Sequence, residues 1–150
     1  MDIIFKEEYL KDILEDLKPM LKLHWEELAN NKDIRPLDPA YDTYLILNDI
    51  EMLRFFTVRV DDKLIGYSSW MVTNNLHYKT WKYAVCDVYY LNPEYRKTGI
   101  SLDFFFKIED WLKSLGVKSI TVQDKINHSH AKFFDKLGFK AIEQNYEKVI

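Results

Sequence analysis

Cysteine, glycine and proline are scarce in this chain, and each shortage narrows the class of protein. Of 150 residues, one is cysteine, four are glycine and four are proline. Because Cys86 is alone, no disulfide can form within the chain, which fits a protein of the reducing cytoplasm. The sequence also has no linker, internal repeat or low-complexity segment, so we expect a single domain over 1–150.

Long apolar runs and tracts of one charge sign are missing as well. No stretch reaches the roughly 18 apolar residues of a membrane span. The first ten residues, MDIIFKEEYL, contain acids and no apolar run of signal-peptide length. The net charge is −3 and no Lys/Arg tract is present, so no global field attracts polyanions. We therefore expect a cytoplasmic protein without a membrane partner.

Apolar and aromatic side chains, by contrast, are abundant. Hydrophobic residues make up 47% of the chain and aromatic residues 15%, which excludes disorder and suffices for a sizeable core. The aromatic residues mostly fall on apolar faces instead of alternating with basic residues. They predict core packing and disfavour the stacking platform of a nucleic-acid-binding protein.

Helical spacing of apolar residues dominates the first third of the chain. It predicts helices over 5–17 and 19–30, with a break at Pro19. A loop follows, and Asp42 is a candidate cap for a third, short helix that runs through Asn48.

The rest of the chain predicts strands and helices in alternation. The predicted strands are 52–60, 64–72, 80–91, 117–123 and 139–149, and the predicted helices are 100–115 and 128–137. The turn 61–63 joins the first two strands into a hairpin. Because strand and helix alternate in the second half, part of the sheet should be parallel, with helices packed on it. The expected fold class is mixed α/β.

One glycine lies at the start of a predicted helix, in the stretch RKTGIS at 96–101. The first N–H groups of a helix lack partners and carry partial positive charge, so they bind phosphate. Gly99 has no Cβ to block a close approach, and Arg96 adds a fixed charge. The stretch predicts a cradle for a pyrophosphate. The alternative is an ordinary turn in which Gly99 supplies an unusual φ.

The same stretch resembles the acyl-CoA-binding motif of the GNAT superfamily of N-acyltransferases, Arg/Gln-x-x-Gly-x-Gly/Ala. Arg96 and Gly99 match that motif, and Ser101 stands where Gly or Ala is usual. Further stretches that resemble the family are LNPEY at 91–95, DKLIGY at 62–67, and Asn127 followed by FDKLGF at 134–139. The likeness covers 52–150. The helical first third, with HWEE at 24–27, and the pair His77-Tyr78 resemble GNAT-like proteins of bacteriophages.

The resemblance implies a fold and a cofactor. The fold is a mixed, mostly antiparallel sheet with splayed central strands and helices on both faces. Residues 1–50 form its substrate side and 52–150 its acyl-CoA-binding core. The cofactor is acetyl-CoA, and its implied contacts are Val88, Tyr89, Tyr90, Leu91, Arg96, Lys97, Thr98, Gly99, Ile100, Ser101, Asn127 and Phe134. The strand residues 88–91 would hold the pantetheine arm, and one of their N–H groups would polarise the thioester carbonyl.

The implied reaction is attack of a primary amine on the thioester, and it needs a base. An alkyl amine with a pKa near 10 is mostly protonated at neutral pH. Asp87 is the leading candidate, because Asp is unusual inside a strand and period-two spacing puts it on the face of Val85 and Tyr89. Alternatively, Asp87 pairs with a neighbouring group and only organises the core. The family often has a Tyr as general acid at the position of Phe134, which has no hydroxyl.

Other polar side chains have weaker claims. His77 is a candidate relay to Asp87, with an exposed loop histidine as the equal alternative. His24 and Tyr78 are assigned to the substrate side, whereas Glu27 is expected on a solvated helix face. No cluster completes a metal site.

Cys86 should point away from Asp87 into the core. We expect acetyl-CoA and an amine as partners, and the resemblance leaves a homodimer open. Two alternatives to this N-acetyltransferase stay open. One is a non-catalytic GNAT-fold protein that acts through protein contacts. The other is a bacteriophage acyltransferase, located in the host cytoplasm, that modifies a host protein or a nucleic-acid base.

Overall fold

The computed structural model describes all 150 residues and has five strands and four α-helices. In chain order they are β1 (Ile3–Glu8), α1 (Leu10–Leu28), α2 (Tyr41–Asp49), β2 (Leu53–Val60), β3 (Lys63–Asn74), β4 (Lys82–Leu91), α3 (Ile100–Ser114), β5 (Ser119–Thr121) and α4 (Ala131–Lys136). A short 3₁₀ helix, Pro93–Tyr95, leads from β4 towards α3. No helix has both the length and the apolar composition that crossing a membrane requires.

The strands form one sheet in the order β1-β2-β3-β4-β5. The first three pairs are antiparallel, and β4 pairs with β5 in parallel. Asp61 and Asp62 close the β2–β3 hairpin with φ values of 48° and 65°, the left-handed conformation that tight hairpin turns need. The sheet confirms the predicted mixed fold class and the predicted hairpin.

Helices pack on both faces of the sheet. On one face, α3 buries Phe104, Phe105 and Ile108 against sheet residues that include Val58 and Trp70. On the other face, α1 buries its apolar stripe against Phe55, Tyr67 and Tyr90, with α2 beside it. Two apolar layers therefore fix both faces of β4, the strand that leads to the turn 96–101.

The central strands separate along their length. β5 pairs with β4 only at Tyr83, Ala84 and Val85. Beyond Val85, β4 runs on to Leu91 with no strand on that side. The predicted splay is present, and it leaves one backbone edge of β4 free next to the turn.

The first third differs from the prediction at two places. Residues 3–8 form a strand on β2, where a helix was predicted from residue 5; Phe5 stacks on Phe104 at 6.2 Å between ring centroids. Pro19 does not break the chain into two helices, because α1 continues through it. The buried stripe of Leu10, Leu17 and Met20 passes Pro19 on the opposite, core-facing side, so tertiary packing outweighs the lost hydrogen bond.

The prediction that Asp42 caps α2 is also wrong. The helix begins after Ala40, no side chain caps it, and Asp42 lies in its first turn. The polar anchor of α2 is the buried Asn48 instead. Its Oδ1 accepts a bond from the Leu10 N–H, and its Nδ2 donates to the Leu53 carbonyl, both at 2.8 Å. Asn48 thereby joins α1, α2 and β2.

The last predicted strand, 139–149, does not form. Its large apolar residues, Phe139, Ile142, Tyr146 and Val149, are three or four positions apart, so they give no single apolar strand face, and Ile142 and Tyr146 are exposed. An ion pair of 3.0 Å between Arg35 and Glu147 connects this segment to the loop before α2. The strand predicted over 117–123 is shorter, as β5, and the helix predicted over 128–137 is shorter, as α4.

Candidate functional site

The turn between β4 and α3 is shaped by Gly99. This residue has φ 87° and directly precedes α3, and a Cβ built on it would meet no atom within 4 Å. Two hydroxyls close the turn. Thr98 Oγ1 donates to the Tyr95 carbonyl at 2.7 Å, and Ser101 Oγ donates to the Arg96 carbonyl at 2.8 Å. Gly99 thus supplies a left-handed φ and also keeps the outer side of the turn open.

Several backbone N–H groups at this turn have no hydrogen-bond partner in the backbone. The N–H groups of Lys97, Gly99, Ile100 and Ser101 donate to no backbone carbonyl. They lie at the N-terminus of a 15-residue helix, where the helix dipole adds partial positive charge. Together they form a site suited to an anion that approaches from solvent.

A hollow next to the turn continues this site. It is open to solvent, contains about 470 Å³ of empty space, and is lined by Arg96, Lys97, Gly99, Ser101, Leu102, Phe133 and Lys136. Three of these side chains are cationic and none is anionic. The hollow therefore suits a ligand with several negative charges, such as a pyrophosphate.

Arg96 already has an anionic partner. Its Nη1 and Nη2 donate to the two carboxylate oxygens of Glu27 at 2.7 and 2.8 Å, and its Nε donates to the Leu91 carbonyl at 2.8 Å. The guanidinium also lies 5.5 Å from the centre of the Tyr90 ring. The hydrogen bonds from Arg96 lower the pKa of Glu27. Glu27 is exposed on α1, as expected, but its carboxylate is paired with Arg96, which the sequence did not predict.

Two histidines border this ion pair. The ring of His24 lies 5.4 Å from that of Tyr90, and burial lowers the pKa of His24 to about 4. His24 is consequently neutral at pH 7. His128 Nε2 lies 3.3 Å from a Glu27 oxygen. The sequence predicted His24 on the substrate side, and the structure places it beside Tyr90, next to the Arg96–Glu27 ion pair.

Asp87 is the extra residue of a β-bulge in β4. In the pairing with β3, Ser69 is opposite Val88 and Trp70 is opposite Cys86, which leaves Asp87 without a partner. Its Oδ2 accepts a 3.1 Å bond from Ser69 Oγ and lies 3.5 Å from the Tyr44 hydroxyl. Bulges redirect side chains and are frequent next to active sites.

The bulge overturns one prediction about this strand and upholds another. Tyr89 packs on the α3 face, with its ring 5.3 Å from Phe104, so Asp87 and Tyr89 do not share a face. Asp87 instead lines a pocket on the α1 face together with Val88. Cys86 packs on the α3 side, opposite Asp87, as predicted, and burial raises the pKa of its thiol.

The remaining predicted site residues lie apart. His77 and Tyr78 are exposed in the loop after β3, where their N–H groups donate to Asn75 Oδ1. Asp87 is five positions into β4 beyond Lys82, which is about 17 Å of strand. The structure does not bring His77 and Asp87 together.

The α4 side of the hollow also differs in detail from the sequence-based assignment. Asn127 lies in an exposed turn closed by a bridge between Lys125 and His128. Phe133 lines the hollow, whereas Phe134 packs against Phe139 at 5.8 Å between ring centroids. Adjacent helix positions differ by about 100° in direction, so Phe133 lines the hollow and Phe134 does not.

A sequence model described as "Acetyltransferase (GNAT) family" matches residues 17–139. A search of curated protein sequences gave no match. Among solved structures, a ribosomal-protein-alanine N-acetyltransferase from Brucella melitensis biovar Abortus 2308 is similar with a TM-score of 0.79 and 14% identity. The match covers 100% of this chain and 99% of that one.

Two further structures have the same fold with other acceptors in their names. An aminoglycoside acetyltransferase from an uncultured soil metagenomic sample, in complex with trehalose, has a TM-score of 0.75 and 12% identity and covers 99% of this chain and 97% of its own. Glucosamine-6-phosphate N-acetyltransferase from Arabidopsis thaliana has a TM-score of 0.73 and 11% identity, covering 99% of both chains. At such identities the likeness describes the fold and leaves the acceptor open.

Proposed function

Since the chain belongs to the acetyltransferase (GNAT) family, we propose that it transfers an acetyl group from acetyl-CoA to a primary amine. Its fold and its turn at 96–101 agree in supporting this proposal. The observation that carries it is the set of unpartnered N–H groups at the start of α3, next to a cationic hollow. Phosphate groups bind to such helix N-termini.

The residues of the turn fit the diphosphate of acetyl-CoA. The N–H groups of Lys97, Gly99, Ile100 and Ser101 would donate to phosphate oxygens, and Lys97 and Lys136 would add charge. Thr98 and Ser101 hold the turn through their hydroxyls. Arg96 lines the same hollow, so its guanidinium could turn from Glu27 and donate hydrogen bonds to a bound phosphate.

The free edge of β4 is the proposed place for the pantetheine arm. Residues 88–91 carry backbone donors and acceptors with no strand beside them on the β5 side. A peptide-like arm can pair with such an edge. When bound, acetyl-CoA supplies an activated thioester, and an N–H of β4 would stabilise negative charge on its carbonyl oxygen. Asn127 and Phe134 remain proposed outer contacts of the arm.

Asp87 is the proposed base. It lies on the bulge of β4, between the Ser69 and Tyr44 hydroxyls, at the start of the free edge. It would bind the ammonium group and receive its proton, directly or through water, so that the neutral amine attacks. The leaving thiolate, with a pKa near 8.5, can take a proton from water, so a phenylalanine at 134 does not prevent turnover.

Titration calorimetry with acetyl-CoA and with free CoA tests the proposal. Micromolar binding followed by amine-dependent release of CoA thiol is the expected result. One observation favours a second candidate, a non-catalytic protein: Glu27 already occupies Arg96. Binding of CoA without turnover on any amine would select that candidate. An origin in a bacteriophage genome and action in the cytoplasm stay predictions of the sequence.

A further inference from the structure

We propose that the acceptor is a monoamine with a slim apolar chain, bound with its ammonium group on Asp87 and its chain in the pocket between α1 and the sheet. This inference rests on the proposed acetyl transfer and names the substrate class of the same site. It is drawn from the residues that line the pocket, which have no part in the proposed binding of the diphosphate at the turn 96–101.

The pocket has one charged group and apolar walls. Eight of its ten lining residues are hydrophobic, and Asp87 is the only charged one. Leu10, Leu17 and Leu21 of α1 form one wall, and Phe55 and Tyr67 of the sheet form the other. An ammonium group is stabilised at Asp87, whereas a second charge deeper in the pocket would lose its water and find no partner.

The pocket is also narrow. It contains about 290 Å³ of empty space with its open mouth, but its cavity volume is about 20 Å³. The enclosed part has room for about one water-sized group, such as the methyl end of a chain. Bulky amino sugars do not match this shape, and their hydroxyls would meet leucine side chains.

A buried hydroxyl without a partner marks the pocket as a binding site. Tyr67 lines the pocket and is 1% exposed, and its hydroxyl makes no hydrogen bond. Such groups are rare because burial removes the hydrogen bonds they make with water. A donor that enters beside Asp87 would satisfy this oxygen. An ammonium group has three N–H donors, which suits the Asp87 carboxylate and the Tyr67 hydroxyl together.

Two tyrosine rings add to the attraction for an ammonium group. Tyr41 and Tyr44 also line the pocket, and the faces of such rings attract cations. The Tyr41 ring already has Lys18 at 5.4 Å from its centre. A second ammonium group on the acceptor would gain no carboxylate in the pocket, because Glu15 does not line it and is already paired with Lys18 at 2.6 Å.

Pentylamine and 1,4-diaminobutane form the decisive pair of probes, because they have equal length and differ only in a terminal methyl or ammonium group. Binding is measured by ligand-observed NMR on the protein with excess CoA, and turnover by release of CoA thiol from acetyl-CoA. We expect pentylamine to exceed the diamine by at least about 100-fold in kcat/KM and to bind more tightly. Equal use of the two amines, or binding of neither, would overturn the inference.

Leu21→Glu places a second carboxylate in the pocket at a partly buried position. It should lower the preference for pentylamine by at least about tenfold. Leu23→Glu is the matched control, because Leu23 is 51% exposed and does not line the pocket. An unchanged preference in folded Leu21→Glu protein, judged by its circular dichroism, contradicts the inference.

The two proposals fail separately. If the protein does not bind CoA, acetyl transfer is wrong, and the binding of the two amines still decides whether the pocket selects a monoamine. If CoA binds and aminoglycosides or diamines are acetylated as well as pentylamine, acetyl transfer stands and the substrate class is wrong.

Discussion

Glu27 holds the guanidinium of Arg96 through two hydrogen bonds of 2.7 and 2.8 Å, although the two residues are 69 positions apart. The pair joins the C-terminal end of α1 to the turn before α3. The helix α1, which lines the pocket beside Asp87, is thus connected to the residues proposed for the diphosphate. In the proposed complex a phosphate would compete with Glu27 for Arg96, so we expect the pair to weaken the binding of CoA while it stabilises the free protein.

Glu27→Gln should therefore tighten the binding of CoA. Loss of the carboxylate frees the charge of Arg96, and we expect the dissociation constant to fall about three- to tenfold at low salt, with a steeper salt dependence. The free energy of unfolding should fall by about 1 kcal/mol, since the pair is partly exposed. Titration calorimetry and chemical denaturation measure both effects.

Glu26→Gln is the control for that experiment, because it removes the same charge one position away from the pair. It should leave the affinity for CoA unchanged. If Glu27→Gln weakened the binding of CoA, Glu27 would hold Arg96 in place for the phosphate and would not compete with the phosphate for it.

Gly99→Ala should reduce the binding of CoA far more than it reduces stability. A Cβ at φ 87° costs about 1–2 kcal/mol in the folded state, and it would also stand where a phosphate approaches the turn. Gly116→Ala is a matched control with φ 82° and equally open surroundings, at the other end of α3. Both variants should unfold at similar denaturant concentrations, and only Gly99→Ala should lose at least about tenfold in affinity. Equal affinities would return Gly99 to the role of an ordinary turn residue.

Asp87→Asn should slow turnover and spare the cofactor. The amide cannot take a proton, so we expect kcat to fall at least about 100-fold, while the dissociation constant of acetyl-CoA stays within about twofold, which is less than 1 kcal/mol. Initial rates with pentylamine measure the change in kcat, and calorimetry measures the affinity for acetyl-CoA. Wild-type turnover should rise with pH as the amine loses its proton, and the variant should gain proportionally more at high pH. Normal rates at pH 7 in the variant would exclude Asp87 as the base.

His24 should make stability depend on pH. The unfolded chain binds a proton at this residue below about pH 6.5, whereas the pKa of the folded protein's His24 is about 4 because of its burial. Between these values unfolding takes up a proton, so stability falls as pH falls, by about 1.5 kcal/mol from pH 6.5 to 5.

His24→Gln and His24→Phe should both flatten this pH profile. The Phe variant keeps an aromatic ring next to Tyr90, so it separates the loss of titration from the loss of packing. Chemical denaturation at pH 5 and pH 7 gives the comparison. A full pH dependence in both variants would assign it to other groups.

The parts of the fold that rest on short-range pattern could be predicted from the sequence. The β2–β3 hairpin, the strand and helix around Gly99 and the parallel β5 follow from alternation, turn residues and helical spacing. The first strand was missed because the apolar spacing around Phe5 fits a helix, and only its pairing with β2 decides otherwise.

The candidate site could be predicted only in part. The turn 96–101 stands out locally, because a glycine precedes a helix. The bulge at Asp87 depends on the register between β3 and β4, which no local pattern specifies, so the prediction that Tyr89 shares the face of Asp87 is wrong. The contact of Glu27 with Arg96 and the pocket around Tyr67 need the packing of α1 on the sheet.

The most direct test of the central claim is a titration of the purified protein with acetyl-CoA in a calorimeter. We predict a single site with a micromolar dissociation constant for acetyl-CoA, a similar value for free CoA, and a loss of affinity in Gly99→Ala but not in Gly116→Ala. Absence of heat at millimolar acetyl-CoA, with the protein folded by circular dichroism, would contradict the account.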